Sequence, residues 1–202
     1  MKSLMLLMLI FFGAWPAVTS WQPVPYTLSP ILKESSEIEM ISPTHLISEV
    51  IIPVLQDLDQ VKPGMYSDKA VRLLLGTFAQ ESDLGFFLKQ HPSGPARGIG
   101  QMEGATTRDL VDRYLRKPGN EDLQVLILSY YTGTDEIEEE ITWNLKLAVA
   151  LTRLRYWVVP IPIPEDREGQ ARYWDVHYNA NNEDEVEEYL ASYDEFVITG
   201  FL

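Results

Sequence analysis

Apolar residues recur at helical spacing over most of the chain beyond residue 42. Ser42-Pro43 makes an N-cap and N1 pair, and Leu46, Ile47, Val50, Ile51, Val54 and Leu58 follow as one stripe. Pro53 falls inside that stripe and predicts a kink or break. Lys62-Pro63-Gly64 is a turn, after which Ser67 or Asp68 caps a helix with apolar positions Val71, Leu74, Leu75 and Phe78. The same face continues to Glu81 and Ser82, so a carboxylate stands where the pattern calls for a core residue. The spacing of Gly and Pro from Gly85 through His91-Pro92-Ser93-Gly94-Pro95 to Gly98-Ile99-Gly100 predicts loops or a short irregular hairpin. Thr106 or Thr107 is expected to cap the next helix, which Lys117-Pro118-Gly119 ends. A short apolar helix over 123–131 and a long central helix over 136–158 follow, the latter free of Gly and Pro. Pro160, Pro162 and Pro164 form a stiff connector to two further helical stretches, 166–178 and 184–196. The expectation is a mainly helical protein with an irregular loop or hairpin after Glu81.

Length adds that a chain of 202 residues, 46% hydrophobic, suits one globular domain with a full core. The absence of cysteine excludes disulfides, thiolate metal sites and a cysteine nucleophile. An excess of 30 acidic over 16 basic residues argues against a nucleic-acid partner, because phosphate contacts need a basic face. At the N-terminus, Lys2 precedes an apolar run from Leu4 to Trp15, and Val18 and Ser20 offer small residues at a cleavage site. That pattern predicts a signal peptide, or an uncleaved anchor, over 1–20 and hence export to the periplasm or beyond. Membrane contact is expected only through 1–20 if uncleaved. A Pro-rich linker over 21–41 then leads to a single domain over 42–202.

Glu81 is the first candidate for chemistry. A carboxyl closing an apolar helix face is partly desolvated, which disfavours its charged form. A glutamic acid still protonated near neutral pH is what general-acid cleavage of a glycosidic bond requires. His45 and His91 are far apart and no His-x-x-x-His spacing occurs, so neither a metal nor any cofactor is expected. The acidic runs 135–140 and 183–188 read as solvated helix faces.

Three segments in order resemble the lytic transglycosylase branch of the lysozyme-like superfamily. They are Gln80-Glu81-Ser82 at a helix end, Gly98-Ile99-Gly100-Gln101-Met102 with Ala105-Thr106, and Tyr178-Asn179-Ala180 after a later helix. The likeness runs from about Val71 to Ala180, and Asn144-Leu145 also looks like the family's core helix. The chain departs from the pattern at Asn181, where the family has glycine, and at Gly100, where a bulky residue is usual. The stretches QESDLG (80–85), GPARGIGQMEGAT (94–106) and HYN (177–179) also resemble phage-encoded proteins of unassigned function, which suggests a phage origin and virion proteins as partners.

The resemblance implies an α+β lysozyme-like fold and peptidoglycan glycan strands as substrate. It makes Glu81 the single general acid and base, and places Ser82, Gly98, Gln101, Met102, Tyr178 and Asn179 against substrate. The Tyr178 hydroxyl is expected near Glu81, holding its charged form. Among the aromatic pairs Tyr130-Tyr131, Tyr156-Trp157 and Tyr173-Trp174, Tyr131 is the one expected in the cleft, because it precedes a loop. If the reaction were hydrolysis instead, Glu103 or Asp83 would be the second carboxylate, with Asp175 as a weaker third. A third reading keeps the scaffold without catalysis, as a phage structural or wall-binding protein.

Overall fold

A computed structural model describes residues 41–90, 93–179 and 185–197. The expected signal peptide, most of the linker, His91, Ala180 and Asn181 lie outside the described residues. The described part is mainly α. Helix α1 (Pro43–Leu46) and helix α2 (Ile52–Val61) are joined by a π-helical turn, Ile47–Ile51. That widened turn directly precedes Pro53, whose ring and missing N–H disrupt ordinary α-helical bonding, so the expected break takes the form of an expanded turn. Of the predicted stripe Leu46, Ile47, Ile51, Val54 and Leu58 are buried and Val50 is half-buried, and Leu55, outside that stripe, is buried as well.

Helix α3 (Asp68–Ser82) is the centre of the molecule. Ser67 caps it, its side chain accepting from the Ala70 N–H at 3.2 Å. Helices α7 (Leu145–Trp157), α8 (Arg167–His177) and α9 (Val186–Ser192) pack around it, as does the π-helical turn Tyr193–Val197. Its C-terminus turns sharply. Asp83 (φ 48°) and Leu84 (φ 53°) both sit in the left-handed region, which costs a side-chain-bearing residue about 1 kcal/mol or more. Burial of Leu84 holds the turn, and it sends the chain out of the core directly after Glu81 and Ser82.

Beyond that turn the expected irregular hairpin forms. Strand β1 (Ala96–Arg97) pairs antiparallel with β2 (Met102–Glu103), Ala96 opposite Glu103 and Arg97 opposite Met102. Helix α4 (Gly104–Arg108) starts earlier than its two threonines suggest. Glu103 is its N-cap, and the buried Thr107 donates its hydroxyl back to the Glu103 carbonyl at 3.3 Å. After a second π-helical turn (Asp109–Tyr114) comes α5 (Glu121–Tyr130).

The long central helix expected over 136–158 is instead two helices, α6 (Ile137–Glu140) and α7. The reason is tertiary. Asn144 caps α7 by accepting from the Leu147 N–H at 3.1 Å, while its amide donates to the Tyr130 carbonyl and to Glu140. Glu140 in turn accepts from the backbone of Thr132 and Gly133. The run 135–140 is therefore not a uniformly solvated face: Glu140 is 0% exposed. No described helix is long and apolar enough to cross a membrane.

Candidate active site

A cleft of about 690 Å³ opens where the C-terminus of α3, the hairpin, the start of α4, the end of α7 and the end of α8 converge. Its lining includes Glu81, Gln101, Glu103, Arg155, Tyr178 and Asn179. Glu81 reaches it from the last turn of α3. Burial pushes its carboxyl up to about 7, against the opposing pull of a hydrogen bond from Trp174 and the Arg155 charge, with repulsion from Glu185 adding to the rise.

Trp174 decides the geometry of that acid. Its indole N–H donates to Glu81 Oε1 at 3.0 Å, and the ring is 1% exposed and stacked on Tyr189 at 5.1 Å. An indole nitrogen only donates, so Oε1 is an acceptor in both charge states; the carbonyl oxygen of a neutral carboxyl is the better acceptor, which favours the acid proton on Oε2. A half-buried glutamic acid with one oxygen pinned and a raised pKa has the chemistry to give a proton near neutral pH and, once ionised, to take one.

Several of the expected contact residues instead build the frame. Ser82 is 1% exposed, and its hydroxyl lies 2.7 Å from the Ile99 carbonyl and 3.0 Å from that of Phe78 while accepting from the Gly85 N–H. It ties the end of α3 to the hairpin and has no hydroxyl to offer a substrate. Met102 is buried in the core. Gly98 (φ 72°) faces the far side of its loop, where a Cβ would collide with the Ile141 carbonyl oxygen; its small size serves packing on α6 rather than approach to a ligand. Gly100 has the same kind of role: a Cβ there would sit 2.7 Å from the Thr152 hydroxyl and 2.9 Å from that of Tyr178.

Tyr178 lines the cleft, but its hydroxyl donates to the Gly100 carbonyl at 2.5 Å rather than to Glu81. The expected partnership is thus replaced by Trp174. Burial and the nearby Glu81 charge push the Tyr178 phenol well above its ordinary range, so it stays a neutral donor. Asn179 lines the cleft and donates to Glu185 Oε2 at 2.6 Å. Gln101 (φ 41°) lines it too, with its amide nitrogen on the Gly98 and Phe87 carbonyls at 2.8 and 3.0 Å. Tyr131 is not a lining residue; as the C-cap of α5 it donates its hydroxyl to the Asp135 carbonyl. Tyr156, Tyr173 and Trp174 are buried, and the aromatic residues lining the cleft are Phe87 and Tyr178.

For a second carboxylate, Glu103 is exposed at the cleft wall, whereas Asp83 and Asp175 are not lining residues. Sequence reasoning missed Trp174, Arg155 and Glu185. Each is brought in from a distant helix, and no spacing relative to Glu81 marks them. Among the described residues no group of three or more His, Asp or Glu is placed to hold a metal ion. Compared with known proteins, the chain matches no family model, no curated protein and no solved structure.

Proposed function

We propose that this protein is a peptidoglycan lytic transglycosylase on a lysozyme-like scaffold, with Glu81 as its single general acid and base. The observation that carries the reading is Glu81 itself: a carboxyl raised to about 7, anchored through one oxygen by Trp174, in a cleft of about 690 Å³. The ordered motifs around Glu81, Gln101 and Tyr178-Asn179 support it.

In this reading Glu81 Oε2 gives its proton to the glycosidic oxygen between N-acetylmuramic acid and N-acetylglucosamine, and the bond from that oxygen to the muramic C1 breaks. The resulting carboxylate takes the proton from the muramic 6-hydroxyl, whose oxygen closes on C1 to form the 1,6-anhydro ring. No water enters, and one carboxyl serves both steps. Gln101 and Asn179 supply polar contacts along the cleft. The N-terminal pattern supports export, or alternatively delivery in a phage virion, to bring the site to the wall.

A second reading, hydrolysis, is favoured by one feature, the exposed Glu103 in the same cleft. Digestion of purified peptidoglycan, with Glu81→Gln in parallel, separates these by mass spectrometry. Anhydromuropeptides from the wild type alone are the expected result. Reducing-end products would transfer the reading to a hydrolase. No products from a folded wild-type protein would leave a scaffold without catalysis.

A further inference from the structure

Arg155 stands out among the arginines of this acidic protein. Arg72, Arg97, Arg108, Arg113, Arg116 and Arg167 pair with carboxylates; Arg153 forms no ion pair among the described residues but is spent on the Met65 and Gly64 carbonyls, and Arg172 is exposed and does not line the cleft. Among the described residues Arg155 makes no ion pair and is the one cation lining the cleft, where it sits in the wall with Glu81. It is held rather than loose. Its Nη2 donates to the Tyr178 carbonyl at 2.6 Å, and its guanidinium lies 4.1 Å from the centre of the Tyr178 ring. These contacts use one nitrogen and one face of a group that carries five N–H donors.

A fixed guanidinium with donors to spare, facing a cleft whose acid is neutral at the moment of catalysis, has no paired carboxylate among the described residues. We propose that Arg155 is a subsite for a carboxylate carried by the glycan strand beside the bond to be cleaved. This rests on the transglycosylase reading and adds substrate selection to it: the cleft prefers an anionic glycan over a neutral one of the same length. Two parts of such a strand carry carboxylates, the lactyl ether on the sugar and the peptide stem, and a guanidinium takes either as a paired, charge-assisted contact. The subsite would also offset the protein's net charge of -14, which otherwise repels an anionic wall.

Occupation of the subsite has a consequence for Glu81. The groups that act on its carboxyl are Trp174 from α8, Arg155 from α7, and Glu185 at the start of α9. Of these, Arg155 draws the proton off by its charge. A carboxylate paired with Arg155 cancels that pull, so the bound substrate keeps its own acid protonated.

The test uses Glu81→Gln, which stops turnover and mimics the neutral acid, titrated calorimetrically with three soluble tetrasaccharides. One is a neutral N-acetylglucosamine oligomer, one a peptide-free muramic oligomer with free lactyl carboxylates, and one a stem-bearing muramic oligomer. At least one carboxylate-bearing ligand should bind about tenfold more tightly than the neutral one, and which one gains identifies the source. That advantage should shrink as salt is raised and vanish when Arg155→Gln is added, with Arg155→Lys retaining part of it and the neutral ligand unaffected. Equal weakening of all three ligands by Arg155→Gln would reduce Arg155 to a brace for Tyr178 and overturn the proposal. So would an advantage indifferent to salt, a readout that holds even if Arg155→Gln fails to fold. Binding of the neutral ligand alone, or of all three equally, would overturn the subsite and leave the glycan reading standing. Binding of none would overturn both.

Discussion

Glu81 and Glu140 are both glutamates near a helix end and both are withdrawn from water, yet burial acts on them with opposite results. Glu140 closes α6 and receives four donors: the Thr132 N–H at 2.8 Å, the Thr132 hydroxyl at 2.9 Å, the Gly133 N–H at 3.2 Å and the Asn144 amide at 2.7 Å. Burial alone would raise its pKa, but these bonds outweigh it and hold the carboxyl below its ordinary range. Among the described residues Glu81 receives one donor, the Trp174 indole, and burial wins. The lesson is that the number of donors aimed at a carboxyl withdrawn from water, rather than burial itself, decides whether it is held as an anion or keeps its proton near neutral pH. Glu140 spends its charge on joining the 131–134 loop to the start of α7. Glu81 is left with a proton to give.

The same substitution at the two sites should therefore break the molecule in two different ways. Glu81→Gln is expected to lower glycan cleavage by about 10³-fold or more, the usual scale for losing a general acid, while leaving the thermal midpoint unchanged or higher. Glu140→Gln should do the reverse. It turns a donor-bearing nitrogen toward groups that themselves donate, at a cost of about 2–3 kcal/mol, visible as a lower midpoint in thermal or urea unfolding. Cleavage per folded molecule should be retained. A Glu140→Gln protein as stable as wild type would remove the structural half of the comparison.

Stability against pH sharpens it further. Because the folded-state pKa of Glu81 lies above its unfolded value, the native state holds the extra proton. Its contribution is fully present below about 4.5 and is lost as pH rises through about 7, a change of about 3 kcal/mol at most by linkage. Glu140 has the opposite sign: its contribution is present above about 4.5 and is lost as pH falls through its lowered pKa. Urea unfolding from pH 4.5 to 8 should show a downward slope in the wild type that Glu81→Gln flattens. Unfolding carried below pH 4.5 should show an acid-side loss that Glu140→Gln removes.

The smallest expected effect belongs to Trp174→Phe. Loss of the indole N–H removes a bond that favours the charged carboxylate, so the alkaline limb of the pH–rate profile should move up by about one unit. The rate on the acid side should fall about tenfold as the carboxyl loses its fixed orientation. A fall in rate with no movement of the limb would mean that Trp174 acts only as packing.

The sequence made Glu81 legible because its signal is local: the apolar stripe of α3 runs into it. Local signals likewise announced α1 to α3, the hairpin and the connector after α7. What escaped was set by residues distant in the chain. Trp174 lies 93 positions from Glu81, and nothing in the α8 sequence distinguishes an indole that bonds a carboxyl from one that fills a core. The break between α6 and α7 was hidden for the same reason, since Glu140 and Asn144 act through the 130–133 segment rather than through helix propensity. The motif residues Ser82, Gly98 and Met102 show the converse. Their positions resemble a substrate site, and here their side chains or lack of one secure the hairpin against α3 and α6. They serve the cleft by shaping it.

The most direct test of the account is a titration of the glutamate side-chain carboxyls by carbon NMR in the full-length protein, with Glu81→Gln and Glu140→Gln supplying the assignments. The account predicts that the Glu81 carboxyl titrates with a midpoint near 7, accompanied by a shift of the Trp174 indole N–H at the same pH, and that Glu140 stays ionised to below 4.5. A Glu81 midpoint near 4.5, with an indole signal indifferent to pH, would mean that the cleft holds an ordinary carboxylate and no acid for the proposed chemistry.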